Sequence, residues 1–563
     1  MMKKKWDILI STHHTQTPDE IIETLLKERG ITDKKAKEEF FNPDLTKVSM
    51  LSVGIDPTQV KSTLQRLQVA LKKEELVIVY GDYDVDGITG TAIVWETLIA
   101  LGFKAMPYIP HRVDEGYGLS LKGIDNLLTQ YKEAKLIITV DNGIVAHKAV
   151  EYAKENNLDV IITDHHLLDE MEDPPKALSI VHTTRLCGAG IAWLLTKEIG
   201  RKFAQSTDKV SKEDEDVHLE LAALATVADL VPLTHANRAI VYHGVKKLTQ
   251  TKRFGLVELY TRAAIDASRI GTYEIGHVIG PRLNAAGRLE SAMDSLRLLC
   301  TRDRRRAQAL AEQLDLTNLD RQRIMKGSVE HAIKKIRIRE DNSKIIIIAD
   351  ESYEEGVVGL IASRLVEEFY KPAIVIAKGE KISKGSVRSV SGFNIIEFLR
   401  SKPDLFINIG GHPMAAGFSL DTASLDSFQK ILEDYAEGKI GEDLLQRKLK
   451  IDMEISLNII SQELFEKVER FAPFGMGNPQ PVFLSRHVLV RERRTMGKEN
   501  QHVRFILQGG EVGKVMEAVA FNMGDRSQEV RDEDYIDIAY TIDKNEWKGN
   551  TRLQLKIKDF DKS

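Results

Sequence analysis

The sequence predicts an α/β protein in which a mostly parallel-sheet domain is joined by a long helix to a smaller α/β domain and an all-β module. Three observations support this prediction. The chain has 563 residues, more than a single hydrophobic core usually organises, so about three or four domains are expected. From about residue 65, short apolar runs alternate with amphipathic stretches, which is typical of a parallel sheet covered by helices. The last hundred or so residues alternate as strands do, with turn signals between them.

The elements follow from the spacing of apolar residues along the chain. Near the N-terminus, the pairs Ile21-Ile22 and Leu25-Leu26 recur at helical spacing. Buried strands are predicted from four apolar runs, at 76–80, 105–109, 136–140 and 160–163. The segment predicted to connect the two α/β domains would span roughly 50 Å if it were one helix. The predicted regions are an N-terminal helical region (1–60), a sheet domain (61–290), a connecting helix (291–342), a second α/β domain (343–440) and an all-β domain (450–563).

Composition and charge exclude several classes of protein. A hydrophobic fraction of 42% and a charged fraction of 29% are those of an ordinary globular protein. The net charge of −5 does not indicate a polyanion binder, although this sum says nothing about a local basic groove. Only Cys187 and Cys300 are present, without metal-like spacing, so we expect no disulfide framework and a reducing cytoplasm. No run approaches the roughly 18 apolar residues of a spanning helix, so no membrane association is expected.

Acidic residues and histidines follow the predicted strands at the points where those strands end. They are Asp82, Asp84 and Asp86 after the first run, Asp141 after the third, and Asp164, His165 and His166 after the fourth. The carboxyl ends of parallel strands face one ligand crevice, so we expect these side chains to converge there, joined by Asp229. Several carboxylates this close together cannot all stay ionised without a cation, so their clustering indicates bound metal.

The types of ligand indicate which metal binds. Carboxylates with one or two imidazoles and no thiolate suit Mn²⁺ or Mg²⁺, and the histidine favours Mn²⁺. Two such ions about 3.5–4 Å apart can activate a water and hold both oxygens of an in-line phosphoryl displacement. The bridging carboxylate would be either Asp141 or Asp86. A calcium loop is the alternative for the acidic run alone, but the run lacks the glutamate that closes an EF-hand loop at its twelfth position.

Longer motifs occur in the same order as in a known superfamily. They are GDYDVDGIT (81–89), DNG (141–143), DHH (164–166), VAD (227–229), PRLNAAGRL (281–289), GGHPMAAGF (410–418) and PFGMGNP (473–479). The first four resemble the motifs of the DHH phosphoesterase superfamily. The other three, with residues 26–43, resemble the RecJ exonuclease family within it, including a DHH-associated domain and an oligonucleotide-binding (OB) domain. The resemblance covers nearly the whole chain and implies the fold of a DHH domain, a connecting helix, a DHH-associated domain and an OB fold.

The resemblance also implies an activity and a set of site residues. The activity is that of a 5′→3′ exonuclease that hydrolyses single-stranded DNA to mononucleotides with two Mn²⁺ or Mg²⁺ ions, in DNA recombination and repair. His166 is implied to position or protonate the scissile phosphate, for which an imidazole near neutral pH is suited. Asp141 is implied to act in catalysis as well as in metal binding. The implied metal ligands are Asp82, Asp84, Asp86, Asp141, His165 and Asp229.

A second set of residues is implied to bind the DNA. Guanidinium groups and backbone amides suit a terminal phosphate dianion. The residues implied to grip the 5′-phosphate are Arg112, Arg282, Gly385, Ser386 and Arg388. For Arg112 alone, a surface ion pair is almost as good an interpretation. The remaining predicted DNA contacts are Asn284, Arg288, Gly411 and His412.

Two other functions compete with this hypothesis. One is a DHH enzyme of another substrate class, such as a nanoRNA or cyclic-dinucleotide phosphodiesterase or a pyrophosphatase. The other is a DNA-binding scaffold that has lost its metals, against which the presence of every expected ligand argues. The family resemblance further suggests a monomer, with single-strand-binding protein and a helicase as partners. It leaves open whether a further C-terminal domain follows in the complete protein, and which OB residues touch DNA.

Overall fold

The computed structural model describes residues 4–11, 17–112, 114–168, 173–203, 217–289, 291–339, 343–547 and 550–563. The chain forms two compact units. The first unit comprises residues 38–321 and 472–479, and the second comprises residues 1–37, 322–471 and 480–563. Within the ranges described, none of the helices combines the length and the apolar character needed to cross a lipid bilayer.

Strands and helices are numbered in chain order. The strands are β1 (Lys5–Ile8), β2 (Leu76–Gly81), β3 (Ala105–Tyr108), β4 (Ala134–Val140), β5 (Asp159–Asp164), β6 (Ser179–His182), β7 (Ile346–Asp350), β8 (Ala373–Ala377), β9 (Ile382–Arg388), β10 (Asn408–His412), β11 (Ala415–Asp421), β12 (Lys448–Ile451), β13 (Met453–Glu454), β14 (Phe483–Met496), β15 (His502–Gln508), β16 (Val515–Ala520), β17 (Tyr535–Trp547) and β18 (Asn550–Lys562). The helices are α1 (Pro18–Glu28), α2 (Lys34–Phe41), α3 (Pro57–Lys73), α4 (Val85–Ala100), α5 (Leu121–Gln130), α6 (His147–Glu155), α7 (Gly188–Phe203), α8 (Leu219–Ala228), α9 (His235–Leu248), α10 (Phe254–Arg262), α11 (Thr272–Glu274), α12 (Gly280–Leu289), α13 (Met293–Cys300), α14 (Arg304–Arg339), α15 (Val358–Phe369), α16 (Ile395–Arg400), α17 (Leu425–Lys439) and α18 (Gln462–Glu469).

A parallel sheet forms the centre of the first unit. Its strand order is β3-β2-β4-β5-β6, and every neighbouring pair is parallel. Side chains alternate between two cores, with Val77 and Val79 of β2 in one and Ile78 and Tyr80 in the other. Because β2, β4 and β5 are buried on both faces, they are continuous apolar runs, and this is why the sequence predicts them correctly. The predicted strand β3 is also present, at the edge of the sheet, where it is only partly buried. The fifth strand, β6, is short and was not predicted.

Local capping explains where the helices of the first unit begin. Asp56 accepts a hydrogen bond from the Thr58 amide at 2.8 Å, and Pro57 occupies the first turn of α3. Ser120 caps α5 by accepting from the Gly123 amide at 3.0 Å. Helices α5 and α6 cover one face of the sheet, while α3, α4, α7 and α8 contribute to the core on the other face.

The predicted connecting helix at 291–342 is in fact two helices, α13 and α14. The chain is extended at Thr301, and the Asp303 carboxylate then accepts from the Arg305 amide at 2.8 Å, which starts a new helix. Helix α14 has 36 residues and spans about 54 Å at 1.5 Å per residue. It contributes residues to both units.

The second unit contains a mixed sheet and a closed barrel. The sheet has the order β10-β11-β9-β8-β7, in which only β7 and β8 are parallel. The barrel has the order β13-β14-β15-β16-β18-β17 and closes through pairing of β14 with β17. Two details differ from the sequence prediction. The N-terminal region, predicted to be helical, begins with β1, which pairs with β12, and the predicted all-β region contains α18.

Candidate metal centre

Three strands of the parallel sheet bring carboxylates to one edge. Strand β4 is hydrogen-bonded to β2 on one side and to β5 on the other, so their carboxyl ends are adjacent. Asp82 follows β2, Asp141 follows β4, and Asp164 is the last residue of β5. All three side chains are buried. The convergence expected from the sequence is therefore present in the fold.

The acidic run between β2 and α4 is shaped by backbone hydrogen bonds. One oxygen of Asp84 accepts from the amides of Asp86 (3.0 Å) and Gly87 (3.1 Å), so Asp84 caps α4. A Cβ atom at Gly87 would lie 2.5 Å from the Asp82 backbone nitrogen, so the turn requires glycine there. This turn brings ligand atoms of Asp82 and Asp84 within 4.8 Å of one on Asp141.

The start of α7 holds Asp86. The Gly188 amide donates to Asp86 Oδ2 at 2.6 Å, and the Ala189 amide donates to Asp86 Oδ1 at 2.7 Å. Such amides carry the partial positive charge of a helix N-terminus, which stabilises the carboxylate. A Cβ atom on Gly188 would lie 2.6 Å from the Asp141 Cβ, so only glycine allows this approach. This role of Gly188 and Ala189 was not predicted from the sequence.

His165 lies among three of the predicted ligands. Its Nε2 atom is 3.1 Å from Asp141 Oδ1, 3.6 Å from Asp86 Oδ2 and 3.7 Å from Asp229 Oδ2. Asp141 belongs to two close groups of ligand atoms, one with Asp82 and Asp84 and one with the histidines. Both oxygens of Asp86 already accept amide hydrogen bonds. The geometry therefore favours Asp141 over Asp86 as a bridging carboxylate.

We call the cluster of Asp82, Asp84, Asp86, Asp141, His165 and Asp229 the carboxylate cage. The pKa values of its carboxylates indicate a bound cation. Burial, followed by repulsion from Asp84, raises the pKa of Asp82 well above its usual range. Burial, followed by repulsion from Asp86, does the same to the pKa of Asp141 and raises the pKa of Asp229 to about 9. Asp82 Oδ1 and Asp141 Oδ1 are buried, and no described residue donates a hydrogen bond to either. Oxygen ligands with one imidazole fit Mn²⁺ or Mg²⁺.

Asp164 orients the histidines. Its Oδ2 atom accepts from the Ile144 amide at 2.9 Å, and its Oδ1 atom accepts from the amides of His165 (2.7 Å) and His166 (3.1 Å). Oδ1 also lies 2.7 Å from Nδ1 of His166. Asp164 belongs to none of the close ligand groups among the described residues, and it is also absent from the ligand set that the family resemblance implies.

His166 is held at both ring nitrogens. Nδ1 bonds to Asp164, and Nε2 lies 3.0 Å from the Tyr117 hydroxyl. Burial lowers the pKa of His166, but the hydrogen bond and the charge of Asp164 outweigh it and raise this pKa to about 9. Burial lowers the pKa of His165. The two neighbouring histidines therefore differ in their pKa, and their roles as ligand and proton donor stay predictions. Tyr117 was missed in the sequence analysis, and nothing in its own sequence context points to the cage.

Comparison with known proteins identifies the family. Family models match at residues 76–227 (DHH family, N-terminal domain), 342–438 (DHHA1 domain) and 451–559 (RecJ OB domain). The chain is 30% identical to the single-stranded-DNA-specific exonuclease RecJ of Haemophilus influenzae, over 91% of this chain and 92% of that protein. The chain belongs to the RecJ family.

Other RecJ proteins are similarly close. The chain is 32% identical to RecJ of Bacillus subtilis, over 96% of this chain and 67% of that protein. Among solved structures it resembles RecJ of Thermus thermophilus in complex with Mn²⁺, with a TM-score of 0.80, 29% identity and coverage of 99% of this chain and 80% of that one. The complex of the same protein with Mg²⁺ gives a TM-score of 0.76 at 27% identity, with coverage of 99% and 78%. These matches agree with the metals that the cage fits.

The predicted DNA-contact residues of the first unit have different surroundings. Arg112 lies over the Tyr83 ring, 4.9 Å from its centroid, and its charge lowers the pKa of Asp82, so it is close to the cage. Arg282 instead pairs with Asp315 at 2.8 Å. Asn284 Oδ1 accepts from the Val85 amide at 2.9 Å, at the start of α4. The side chain of Arg288, another predicted contact, lies outside the described residues.

The predicted contacts of the second unit lie on β9 and β10, two strands of the same sheet that are separated by β11. Arg388 of β9 donates from Nη1 to Ser386 Oγ at 3.1 Å. A Cβ atom at Gly385 would lie 2.1 Å from the Phe418 ring, so this glycine is required by packing. Gly411 and His412 are exposed on β10, and the φ of +149° at Gly411 favours glycine. DNA contact by these residues stays a prediction.

Proposed function

We propose that this chain is a metal-dependent exonuclease that hydrolyses single-stranded DNA from its 5′ end to 5′-mononucleotides. The observation that carries this proposal is the carboxylate cage, in which Asp82 and Asp141 each bury an oxygen that accepts no hydrogen bond from a described residue, within one close group of ligand atoms. Membership of the RecJ family supports the choice of single-stranded DNA as substrate, because the similar proteins bear that name. The barrel at 451–559 matches the RecJ OB domain, and OB domains commonly bind single strands.

The roles of the cage residues follow from its chemistry. Two Mn²⁺ or Mg²⁺ ions would be held by six side chains, those of Asp82, Asp84, Asp86, Asp141, His165 and Asp229. When bound, two such ions lower the pKa of a water and neutralise charge on the phosphoryl oxygens. The α7 amides hold both oxygens of Asp86 in place.

His166 would act on the phosphate. With Asp164 on Nδ1, it presents Nε2 as a donor to a phosphate oxygen, so that it can position that oxygen or protonate a departing one. The Tyr117 hydroxyl, now 3.0 Å from Nε2, marks the position that a substrate oxygen would take.

The 5′→3′ polarity would come from recognition of the strand end. We assign the terminal phosphate to Arg112, Arg282, Gly385, Ser386 and Arg388, as the family resemblance implies. Gripping a terminal phosphate determines which phosphodiester reaches the cage, and therefore the direction of digestion. Asn284, Arg288, Gly411 and His412 remain assigned to further DNA contacts.

The cellular setting belongs to the same proposal. Digestion of single strands suits DNA recombination and repair in the cytoplasm. The enzyme would act as a monomer beside single-strand-binding protein and a helicase, and size-exclusion chromatography with and without these proteins tests each association.

We also propose that the domains keep the limits predicted from the sequence, which limited proteolysis would test.

A nuclease assay tests the proposed activity. Single strands with and without a 5′-phosphate, duplexes, RNA and very short oligomers are compared with Mn²⁺, Mg²⁺ or EDTA. We expect mononucleotides from long 5′-phosphorylated single strands and no cleavage in EDTA. Asp84→Ala and His165→Ala should abolish cleavage, whereas Asp404→Ala, at an exposed carboxylate, should not. Cleavage of short oligomers alone would assign the chain to another DHH substrate class, and activity retained in Asp84→Ala would disprove the cage.

A further inference from the structure

Two arginines lie close together in the first unit, where an ion pair joins α12 to α14. Arg282 donates from Nε to Asp315 Oδ1 at 2.8 Å and from Nη1 to the Val278 carbonyl at 2.9 Å. Arg321 lies six residues beyond Asp315 on α14 and is 8% exposed. Burial, and then the charge of Arg282, lowers the pKa of Arg321, so the two cations act on each other.

The donors in this cluster outnumber the acceptors. Arg321 Nη2 donates to Asn318 Oδ1 at 2.9 Å, but Arg321 Nε and Asn318 Nδ2 are buried without an acceptor among the described residues. Asn318 is fully buried. Asp315 pairs with Arg282, and within the described part of the chain no carboxylate forms an ion pair with Arg321. A buried cation and buried donors without partners are costly, so this arrangement implies an anion as the missing partner.

The cluster is connected to the carboxylate cage through α12. Asn284, two residues after Arg282, accepts from the Val85 amide at the start of the helix that carries Asp86. One turn further along α12, Gly287 packs against the Tyr83 carbonyl, where a Cβ atom would lie 2.5 Å away. An anion bound by Arg321 would therefore lie beside the helix that supports the acidic run, which favours a substrate phosphate over an unrelated ion.

We propose that Arg321 and Asn318, together with Arg282, form a binding site for one phosphate group of the substrate strand. The inference rests on the proposed function for the identity of this phosphate, but not for the existence of an anion site. The guanidinium of Arg321 and the amide of Asn318 supply donors of the kind that recognise phosphate oxygens. Neither Arg321 nor Asn318 is among the residues implied by the motifs.

Three variants of the full-length chain test this site. Arg321→Met removes the charge, and Asn318→Asp supplies a carboxylate next to Arg321 that takes the place of the anion. Arg305→Met is the matched control, because it removes an exposed arginine from the same helix. Affinity for a 3′-labelled, 5′-phosphorylated single strand is measured by fluorescence anisotropy in EDTA over a range of salt concentrations. Thermal melting is measured with inorganic phosphate and with chloride at equal ionic strength.

We expect Arg321→Met and Asn318→Asp to bind the single strand about tenfold or more weakly, which corresponds to the loss of one charge-assisted hydrogen bond. Arg321→Met should also reduce the slope of log affinity against log salt by about 0.7, the value for one phosphate of a single strand. Both variants should melt no lower than the wild type in chloride, because Arg321→Met removes the unpaired buried charge and Asn318→Asp gives that charge a partner. Inorganic phosphate should raise the melting temperature of the wild type and of Arg305→Met, but not of the other two variants.

Several outcomes would overturn the proposal. If Arg321→Met melts lower while its salt slope is unchanged, Arg321 has only a structural role. If phosphate stabilises the wild type but DNA affinity is the same in all variants, the anion is not a substrate phosphate. If the wild type neither binds nor degrades single strands, the proposed function fails, whereas the phosphate-dependent melting still reports on the anion site by itself.

Discussion

Replacing Asp164 by asparagine separates the orientation of His166 from metal binding. The substitution keeps the shape of the side chain but removes its charge and one acceptor. Asp164 supplies the hydrogen bond to His166 Nδ1 and the nearest negative charge, which are the main causes that raise the pKa of His166 to about 9. Because Asp229 and Asp82 also contribute, we expect Asp164→Asn to lower this pKa by about two units, or about 3 kcal/mol at 1.36 kcal/mol per unit.

The expected loss of activity depends on pH. If the protonated imidazole is the active form, a pKa of about 9 leaves roughly nine-tenths of the enzyme active at pH 8, and a pKa of about 7 leaves roughly one-tenth. Asp164→Asn should therefore be nearly as active as the wild type at pH 6, about tenfold weaker at pH 8 and about a hundredfold weaker at higher pH. Bound cations lower the pKa of His166 in both proteins, so with Mn²⁺ present the same ratios are reached at correspondingly lower pH values, and the hundredfold limit is unchanged.

The assay is kcat/KM for digestion of a 5′-phosphorylated single strand across this pH range, with Mn²⁺ in excess. Metal affinity, measured by isothermal titration calorimetry, should be nearly unchanged, because donors occupy both oxygens of Asp164. Asp159→Asn is the matched control, at the exposed first residue of the same strand. An equal loss at every pH together with weakened metal binding would refute the reasoning, because Asp164 would then be a ligand.

Three further predictions concern the structure that supports the cage. The raised pKa of Asp229, about 9, means that the folded metal-free protein retains a proton that the unfolded chain releases, so its stability falls as pH rises from about 4 to 9. Melting temperatures in EDTA should decrease between pH 6 and 9, and Mn²⁺ should remove the decrease; parallel curves would contradict this. Gly188→Ala should weaken metal binding at least tenfold in calorimetry, since the new Cβ would lie 2.6 Å from the Cβ of Asp141. Gly200→Ala has open space around its Cβ, so this control should leave the melting temperature unchanged or raise it. Asn284→Ala should lower the free energy of unfolding by about 1–3 kcal/mol, because it leaves the Val85 amide without its acceptor. Asn284→Asp keeps an acceptor oxygen and should restore the free energy of unfolding. Equal denaturation midpoints for the wild type and both variants would contradict this role.

The sequence predicts the parallel sheet and its carboxylate edge because both depend on local patterns. Continuous apolar runs mark strands buried on two faces, and the residue after each run must lie at the edge of the sheet. The positions of Asp82 and Asp141 follow from this alone. The break between α13 and α14 was missed because helical spacing resumes after three residues, and the Asp303 cap is a weak signal in a charged stretch.

The parts of the site that the sequence does not predict depend on contacts between distant residues. Gly188 lies 102 residues after the Asp86 that it holds, and Tyr117 lies 49 residues before the His166 that it contacts. Neither residue type indicates such a role, because a glycine before a helix and an exposed tyrosine are common. The structure is also needed to show that Asp164 orients the histidines, since an aspartate beside two histidines has the composition of a metal site.

For the motif at 281–289, the family resemblance and the structure assign different roles to the same side chains. The resemblance assigns Arg282 and Asn284 to DNA, but each side chain already has a partner within the protein. Asn284 and Gly287 both contact the acidic run, one at the Val85 amide and the other at the Tyr83 carbonyl. Several positions of this motif are thus needed to hold the cage in shape whether or not they also touch the strand. A loss of activity on mutation of this motif is therefore no evidence of DNA contact unless stability and metal affinity are measured on the same variants.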